Sequence, residues 1–214
     1  VGMAMAARYE RGLFDPENSG VSPFDHNIWV ICSDGDLQEG VSAESSSLAG
    51  TQELGNLNII YDDNRISIEG DTHNAFTEDV AARYRAYGWH VIEVATLATG
   101  NIDLVALDAA MVAAKKETSK PTLIRVHSVI AWPAPTAQGT AGSHGSALGA
   151  DEIKATKIAL GLNPDEDFAM PAEVLAHARL VKERGAAARS AWEAKFSLWK
   201  AVNPEKATLL ERLR

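Results

Sequence analysis

The feature that most constrains the fold is a pair of short apolar runs, each of which ends in a polar side chain. The first run, residues 28–32, is followed by Asp34, and the second, residues 57–60, is followed by Asn64. Short runs rich in β-branched residues that stop at Asp or Gly are typical of buried parallel strands. Ligands bind beyond the carboxyl ends of the strands in an open parallel sheet. Asp34 and Asn64 are therefore candidates for one shared ligand site.

These side chains have the chemistry of a divalent cation site. Mg²⁺ prefers oxygen ligands and takes few of them from protein, since phosphate and water supply the rest. Asp34 would supply a carboxylate, Asn64 an amide oxygen, and a residue just after it, such as Ile66, a backbone carbonyl. Gly35 has no side chain, so its N–H could face a phosphate oxygen, and a helix predicted to begin near Gln38 would direct its positive end at the same anion. An Asp-Gly pair after a strand is also an ordinary turn sequence, so Asp34 alone leaves both interpretations open.

Strands and helices alternate over the first part of the chain. We predict strands at 28–32, 57–61, 90–94 and 122–127, helices at 1–11, 38–53, 78–87 and 103–117, and a loop at 62–76. Thr77 is the predicted N-cap of the third helix and Gly88 its stop signal. Later helices are predicted at 151–160, 171–183, 185–201 and 204–213. The pattern predicts an α/β fold with a doubly wound parallel sheet in residues 1–150 and a helical extension in residues 151–214.

Several motifs occur together along nearly the whole chain. An Asp-Gly pair follows one strand, a Glu-Gly pair comes shortly after it, and an Asn follows the next strand. Further motifs lie at residues 47–50, 54–57, 61–68, 86–91, 120–123 and 143–149. In these motifs the chain resembles the transketolase family, whose members carry a thiamine diphosphate motif of this form. It departs from the family at Ser33, which stands where Gly is usual, and at Ala131 and Trp132, which stand where Gly-Tyr is usual.

The resemblance implies roles for the residues at the first strand ends. Asp34, Asn64 and the backbone carbonyl of Ile66 fall where the family binds its divalent metal, Mg²⁺ or Ca²⁺. Gly35 falls where the backbone meets the diphosphate of thiamine diphosphate.

The resemblance also implies roles for residues further along the chain. Ile68 and Ile130 fall where apolar side chains press on the thiazolium ring of the cofactor. Glu39 and Glu44 fall where carboxylates of two subunits meet near the cofactors, so both are predicted dimer contacts and Glu39 is also a predicted cofactor contact. His144 falls where a histidine contacts the diphosphate and the reacting substrate, and it is the predicted catalytic residue.

The activity implied by the resemblance is the reversible transfer of a two-carbon ketol unit from a ketose phosphate to an aldose phosphate, as in the pentose phosphate pathway. The family works as a homodimer on sugar phosphate substrates. Its carboxylate that activates the aminopyrimidine falls outside these residues, so we expect the chain to be part of a larger protein and inactive alone. Two alternatives stay open: another thiamine enzyme, of the phosphoketolase or deoxyxylulose phosphate synthase type, and a non-catalytic binding or assembly fragment.

The amino-acid composition limits which binding partners and which cellular compartment we expect for the protein. The formal net charge of −9 opposes nucleic-acid binding, which needs a basic face. No apolar run reaches the length of about 18 residues that would suggest a membrane span, so we expect no membrane partner. The one cysteine, Cys32, lies in a predicted buried strand, which favours core packing and a reducing, cytoplasmic location. Trp192, Phe196 and Trp199 recur at helical spacing, which predicts packing rather than a binding site.

Overall fold

A computed structural model of the chain describes residues 1–17 and 21–213. The chain forms two compact units, one of residues 1–4 and 27–165 and the other of residues 5–26 and 166–214. Within the described ranges, no helix is both long enough and apolar enough to span a bilayer. These units are defined by contacts within the chain. They do not test the predicted division into a binding domain and a helical extension at residue 150, which stays a prediction.

Six strands and eight helices are formed by the described residues. The strands are β1 (Ile28–Ser33), β2 (Leu57–Asp63), β3 (Ile66–Ser67), β4 (Gly70–Asp71), β5 (His90–Val94) and β6 (Thr122–His127). The helices are α1 (Gly2–Phe14), α2 (Asp34–Gln38), α3 (Gly40–Thr51), α4 (Val80–Ala86), α5 (Leu104–Lys116), α6 (Ala150–Ala159), α7 (Ala172–Val202) and α8 (Pro204–Leu213). Two short 3₁₀ turns lie at Thr72–Asn74 and Ala141–Ser143.

The first unit is built on a parallel sheet with the strand order β1-β2-β6-β5. Side chains of one face, including Tyr61 and Leu123, pack with Ala49 of α3 and Tyr84 of α4. The opposite face packs against α5 in a second cluster, made by Val94, Ala110, Ala114, Ile124 and Val126. Helices therefore cover both faces, and the predicted doubly wound α/β fold is confirmed.

The register of the sheet brings the polar strand ends to one edge. Ser33 is paired with Asp62, and Asp63 is paired with His127. The predicted bounds of β5 and β6 are confirmed, whereas β1 and β2 run on to Ser33 and Asp63. Because parallel strands end together, the residues after β1, β2 and β6 lie along the same edge.

The helix predicted over 38–53 is present as α3, and the short helix α2, which was not predicted, precedes it. α2 begins directly at Asp34, and the extended backbone of Glu39 (φ −67°, ψ 133°) separates it from α3. The carboxylate of Asp36 accepts a hydrogen bond from Ser33 N at 2.8 Å. This contact caps the N-terminus of α2 directly after β1 ends. α3 begins at Gly40, close to the predicted start near Gln38, and the expectation that this helix start faces an anion stays a prediction.

The start of α4 differs from the prediction as well. α4 begins at Val80, and the side chain of Asp79 accepts a hydrogen bond from Ala82 N at 3.0 Å. The N-cap is thus Asp79, and the prediction of Thr77 is wrong. Gly88 follows the helix with a φ of 86°, the left-handed conformation that favours glycine, so the predicted stop is confirmed. The loop predicted at 62–76 contains the β3–β4 hairpin.

The second unit contains the aromatic stripe. α7 is one continuous helix through Gly185, so the break predicted between residues 183 and 185 is wrong. Trp199 packs on Phe24 with ring centroids 4.8 Å apart, and Trp192 stacks on Phe196 at 4.9 Å. The prediction that this stripe serves packing is confirmed.

Candidate functional site

Asp34 is the central acidic group at the carboxyl edge of the sheet. It is the first residue of α2 and only 2% exposed. The hydroxyl of Tyr61, on the neighbouring strand β2, donates to Asp34 Oδ1 at 2.6 Å. The backbone N–H of Arg65 donates to Asp34 Oδ2 at 3.1 Å. Both carboxylate oxygens are therefore oriented by groups that come from the segment around β2.

The surroundings of Asp34 favour a positive charge next to its carboxylate. Burial raises the pKa of Asp34, the hydrogen bond from Tyr61 opposes the rise, and the nearby carboxylate of Asp63 adds to it. Burial also raises the pKa of Tyr61, which therefore stays a hydrogen-bond donor. None of the ion pairs among the described residues involves Asp34, although Asp63 has several. A buried carboxylate without a counter-charge is costly, so a bound cation would stabilise it.

Asn64 is tied into the same edge by its side-chain amide. Asn64 Nδ2 donates to Asp62 Oδ2 at 3.1 Å, and Asn64 Oδ1 accepts from Ile66 N at 2.9 Å. Arg65, between them, has a φ of 62° and donates its N–H to Asp34. The hydrogen bond from Arg65 thus joins Asp34 to the segment that contains Asn64 and Ile66, so the three predicted metal ligands are neighbours.

The chemistry of this set of donors fits magnesium. Among the residues that the structure describes, no group of three or more His, Cys, Asp and Glu side chains is arranged to hold a metal ion. The predicted ligands are one carboxylate, one amide oxygen and one backbone carbonyl. Mg²⁺ typically takes such a small number of oxygen ligands from a protein, and phosphate and water complete its coordination shell. The metal assignment itself stays a prediction.

Asp63 is the second buried acid of this edge, at 3% exposed, and it is fully paired. Arg125 contacts Asp63 Oδ2 through Nε at 2.8 Å and through its terminal nitrogen at 2.7 Å. His127 Nδ1 lies 2.9 Å from the same oxygen. Asp34, Tyr61, Asp63 and Arg125 all line a pocket of about 370 Å³. Tyr61 and Asp63 were missed by the sequence reasoning, although the two-residue period of β2 places both on the same face.

The predicted diphosphate and ring contacts lie on accessible surface. Gly35 is exposed, and a Cβ built on it would meet no atom within 4 Å, so the space beside its backbone is open. Ile68 is 71% exposed just after β3, so its side chain is open to contact. Ile130 is half-buried. No described hydrogen bond or ion pair joins these residues to Asp34.

His144 is exposed and follows the 3₁₀ turn Ala141–Ser143 in the long connection between β6 and α6. The backbone N–H of His144 donates to Ala141 O at 3.0 Å. Earlier in this connection, Trp132 Nε1 donates to Thr99 O at 2.9 Å. Ala131 has a φ of 56°, a conformation that glycine adopts more easily, at the position where the family usually has Gly. The connection is therefore ordered by specific contacts, but no described hydrogen bond or ion pair joins His144 to Asp34, Asn64 or Ile66.

Glu39 and Glu44 are both exposed. Glu39 lies between α2 and α3, and its carbonyl accepts a hydrogen bond from Ser42 N at 3.0 Å. Glu44 lies in α3. Both side chains are open to contact from outside the chain, and their role at a dimer interface stays a prediction.

A doubly wound α/β domain with buried acidic side chains at the carboxyl edge of its sheet has the architecture of cofactor-binding domains. The family described as "Transketolase, thiamine diphosphate binding domain" matches residues 1–214, and the chain belongs to this family.

Individual relatives agree with this assignment. The chain is 52% identical to a transketolase of Mycobacterium leprae and 50% identical to one of Mycobacterium tuberculosis, over all 214 residues in both cases. It spans 30% of the length of each. A solved structure, described as transketolase from Pichia stipitis in complex with sedoheptulose 7-phosphate, matches 99% of this chain with a TM-score of 0.89 and 44% identity, and the match spans 31% of the solved chain.

Proposed function

We propose that this chain forms the metal- and diphosphate-binding part of a transketolase. The observation that carries the proposal is the Asp34 carboxylate, buried and held by two hydrogen bonds but without an ion-pair partner among the described residues. Mg²⁺, or Ca²⁺ in its place, would be held by Asp34, by the amide oxygen of Asn64 and by the carbonyl of Ile66. The family match favours transketolase over the phosphoketolase and deoxyxylulose phosphate synthase types.

The remaining proposed contacts are of two kinds. A backbone N–H would bind the diphosphate, and apolar side chains would contact the thiazolium ring. Gly35 would donate its N–H to the diphosphate, because the space beside it is open. The exposed Ile68 and the half-buried Ile130 would cover the thiazolium ring and keep water from it. Bound thiamine diphosphate supplies the carbon nucleophile for moving a two-carbon ketol unit from a ketose phosphate to an aldose phosphate.

His144 is the proposed acid–base residue. An imidazole changes charge near neutral pH, so it can accept and return a proton at a substrate hydroxyl. It would also contact the diphosphate. The Pichia stipitis transketolase is described in complex with sedoheptulose 7-phosphate, and this supports sugar phosphates as the substrate class. We place the reaction in the pentose phosphate pathway.

We also propose that the complete protein is a homodimer, with Glu39 and Glu44 at the subunit contact near the cofactors. Two carboxylates near one interface would repel each other unless shared protons or partner groups compensate. Changing both to Gln should alter the dissociation constant of the dimer and its dependence on cofactor, measured by analytical ultracentrifugation. A dimer equally tight and equally cofactor-linked in both proteins would contradict the interface assignment.

The proposed setting is the cytoplasm, with sugar phosphates rather than nucleic acid or membrane as partners. The acidic net charge of −9 supports the exclusion of nucleic acid. The buried free thiol of Cys32 suits a reducing compartment. We expect the 214 residues alone to transfer no ketol unit, because we propose that two subunits and a second domain are needed to enclose the cofactor.

The proposal is tested by calorimetric titration of the full-length protein with thiamine diphosphate, with and without Mg²⁺. Asp34→Ala should abolish the metal-dependent part of the binding, because it removes the one charged ligand of the proposed site. Asp108→Ala, which removes an exposed carboxylate of α5, is the matched control and should bind normally. Unchanged metal-dependent affinity in Asp34→Ala would refute the metal site.

A further inference from the structure

Glu152, in the first turn of α6, makes an unusual set of contacts with the connection that carries His144. Its Oε1 accepts hydrogen bonds from the backbone N–H of Thr136 at 2.7 Å and of Ala137 at 2.8 Å. Its Oε2 accepts from the hydroxyl of Thr136 at 2.8 Å. One carboxylate thus binds two consecutive backbone amides and a side chain, which fixes both the position and the direction of this stretch.

The stretch held by Glu152 leads by short contacts to the proposed catalytic residue. The carbonyl of Ala137, whose N–H is bound by Glu152, accepts from the hydroxyl of Ser143 at 2.6 Å and from that of Thr140 at 2.7 Å. Ser143 directly precedes His144. The contacts that lead from Glu152 to His144 therefore pass through the backbone of one residue, Ala137, and through the side chain of Ser143.

We propose that Glu152 is a positioning residue, which holds the connection between β6 and α6 in the conformation that presents His144 to the substrate. This inference rests on the proposed role of His144. Glu152 itself need not touch the substrate or the cofactor. A misplaced catalytic group lowers the rate even when it is chemically intact, and a shift of about 1 Å can cost about 100-fold.

The charge state of Glu152 supports a permanent contact. The backbone hydrogen bond from Thr136 lowers the pKa of Glu152, and the Thr136 hydroxyl and the Ala137 N–H lower it further. Glu152 is thus a charged acceptor at neutral pH, and hydrogen bonds to charged acceptors are the stronger ones.

A simpler role for Glu152 would be to stabilise the start of α6, because acidic side chains in the first turn interact favourably with the helix dipole. Asp151 offers a matched control for this role. It is exposed, carries the same charge and lies in the same first turn, and none of the described hydrogen bonds to residues 136 and 137 involves it. Asp151→Ala removes the dipole interaction and leaves the contacts of Glu152 in place.

The first measurement is amide hydrogen exchange in the full-length protein without substrate. Glu152→Ala should speed exchange at residues 136 and 137 by about tenfold or more, because each loses a charged acceptor. Glu152→Gln should restore slow exchange, since its amide oxygen accepts the same two N–H groups and its amide nitrogen donates to the Thr136 hydroxyl. Unchanged exchange in Glu152→Ala, or equal acceleration in Asp151→Ala, would overturn the proposal.

The second measurement is the kinetics of sugar transfer together with the affinity for thiamine diphosphate. We expect Glu152→Ala to lower kcat by about 10- to 100-fold with cofactor affinity unchanged, and Glu152→Gln to recover most of kcat. Faster exchange in Glu152→Ala with wild-type kcat would overturn the link to His144. A wild-type protein that transfers no ketol unit would refute the proposed function instead, while the exchange experiment would still test the contact.

Discussion

Removing the hydroxyl of Tyr61 measures how strongly the protein depends on the hydrogen bond that orients Asp34. Tyr61 is 2% exposed and donates at 2.6 Å to Asp34 Oδ1, a carboxylate oxygen that is itself buried. Tyr61→Phe keeps the ring and deletes only this donor. The carboxylate then loses one of the two protein groups that donate hydrogen bonds to it.

The magnitude follows from the type of bond. A hydrogen bond to a charged partner contributes about 1.5 to 3 kcal/mol to stability, and a neutral one about 0.5 to 1.5 kcal/mol. Tyr84 provides the matched control, because its buried hydroxyl contacts the neutral Ser46 hydroxyl at 3.0 Å in the same apolar cluster. We expect Tyr61→Phe to cost about 1 to 2 kcal/mol more than Tyr84→Phe.

Native-state amide exchange of the β2 amides in the cofactor-free, full-length protein is the suitable assay. It reports the free energy of opening this sheet even when other domains unfold separately. The double variant Tyr61→Phe with Asp34→Asn should show a smaller cost of losing the hydroxyl, because the acceptor is then neutral. An equal cost for Tyr61→Phe and Tyr84→Phe would refute the view that Asp34 is a buried, charged acceptor.

Three further predictions concern single residues. His144→Ala should lower sugar transfer by about 10² to 10⁴-fold with cofactor affinity nearly unchanged, and near wild-type steady-state rates would reduce His144 to a loop residue. Asn64→Leu should weaken thiamine diphosphate binding in calorimetry while costing only about 1 to 2 kcal/mol of stability, so an insoluble variant would indicate a purely structural role. Burial, with Asp36 nearby, raises the pKa of Cys32 to about 12, so a thiol reagent should label the protein at pH 8 only after denaturation, and rapid labelling of the folded protein would contradict the raised pKa. The same shift means that stability is lost as the pH rises from the ordinary value of 9.0 toward about 12, because the unfolded thiol ionises first.

The strands of the sheet could be predicted from the sequence because their apolar runs are short and bounded by breakers. Three features of the helices could not: the presence of α2, the start of α4 and the continuity of α7. α2 starts at Asp34 because Asp36 caps it, and the usual sequence signature at that position is Glu or Gln. α7 continues through Gly185 because one glycine costs only about 1 kcal/mol, which the rest of a long helix offsets.

Of the candidate site, the sequence predicts the residue types at the strand ends, and the resemblance to a family predicts their roles. The hydrogen bond from Tyr61 to Asp34 was not predictable in the same way. It depends on the register that pairs Cys32 with Tyr61 across two strands far apart in sequence. Likewise, Glu152 is an ordinary acid in the first turn of a helix until the fold brings residues 136 and 137 to it.

Asp34 and Asp63 together explain why a cation would bind at one place along this edge and not at another. Both acids are buried, and both accept a hydrogen bond from the hydroxyl of Tyr61. Asp63 faces Arg125 and His127, so its charge is already balanced. Asp34 accepts only neutral donors among the described contacts, and its raised pKa means that ionisation costs stability in the metal-free protein as the pH rises above the ordinary aspartate range. A divalent cation would remove that cost at Asp34 but would be repelled by the arginine at Asp63, so the protein's own charges select the site.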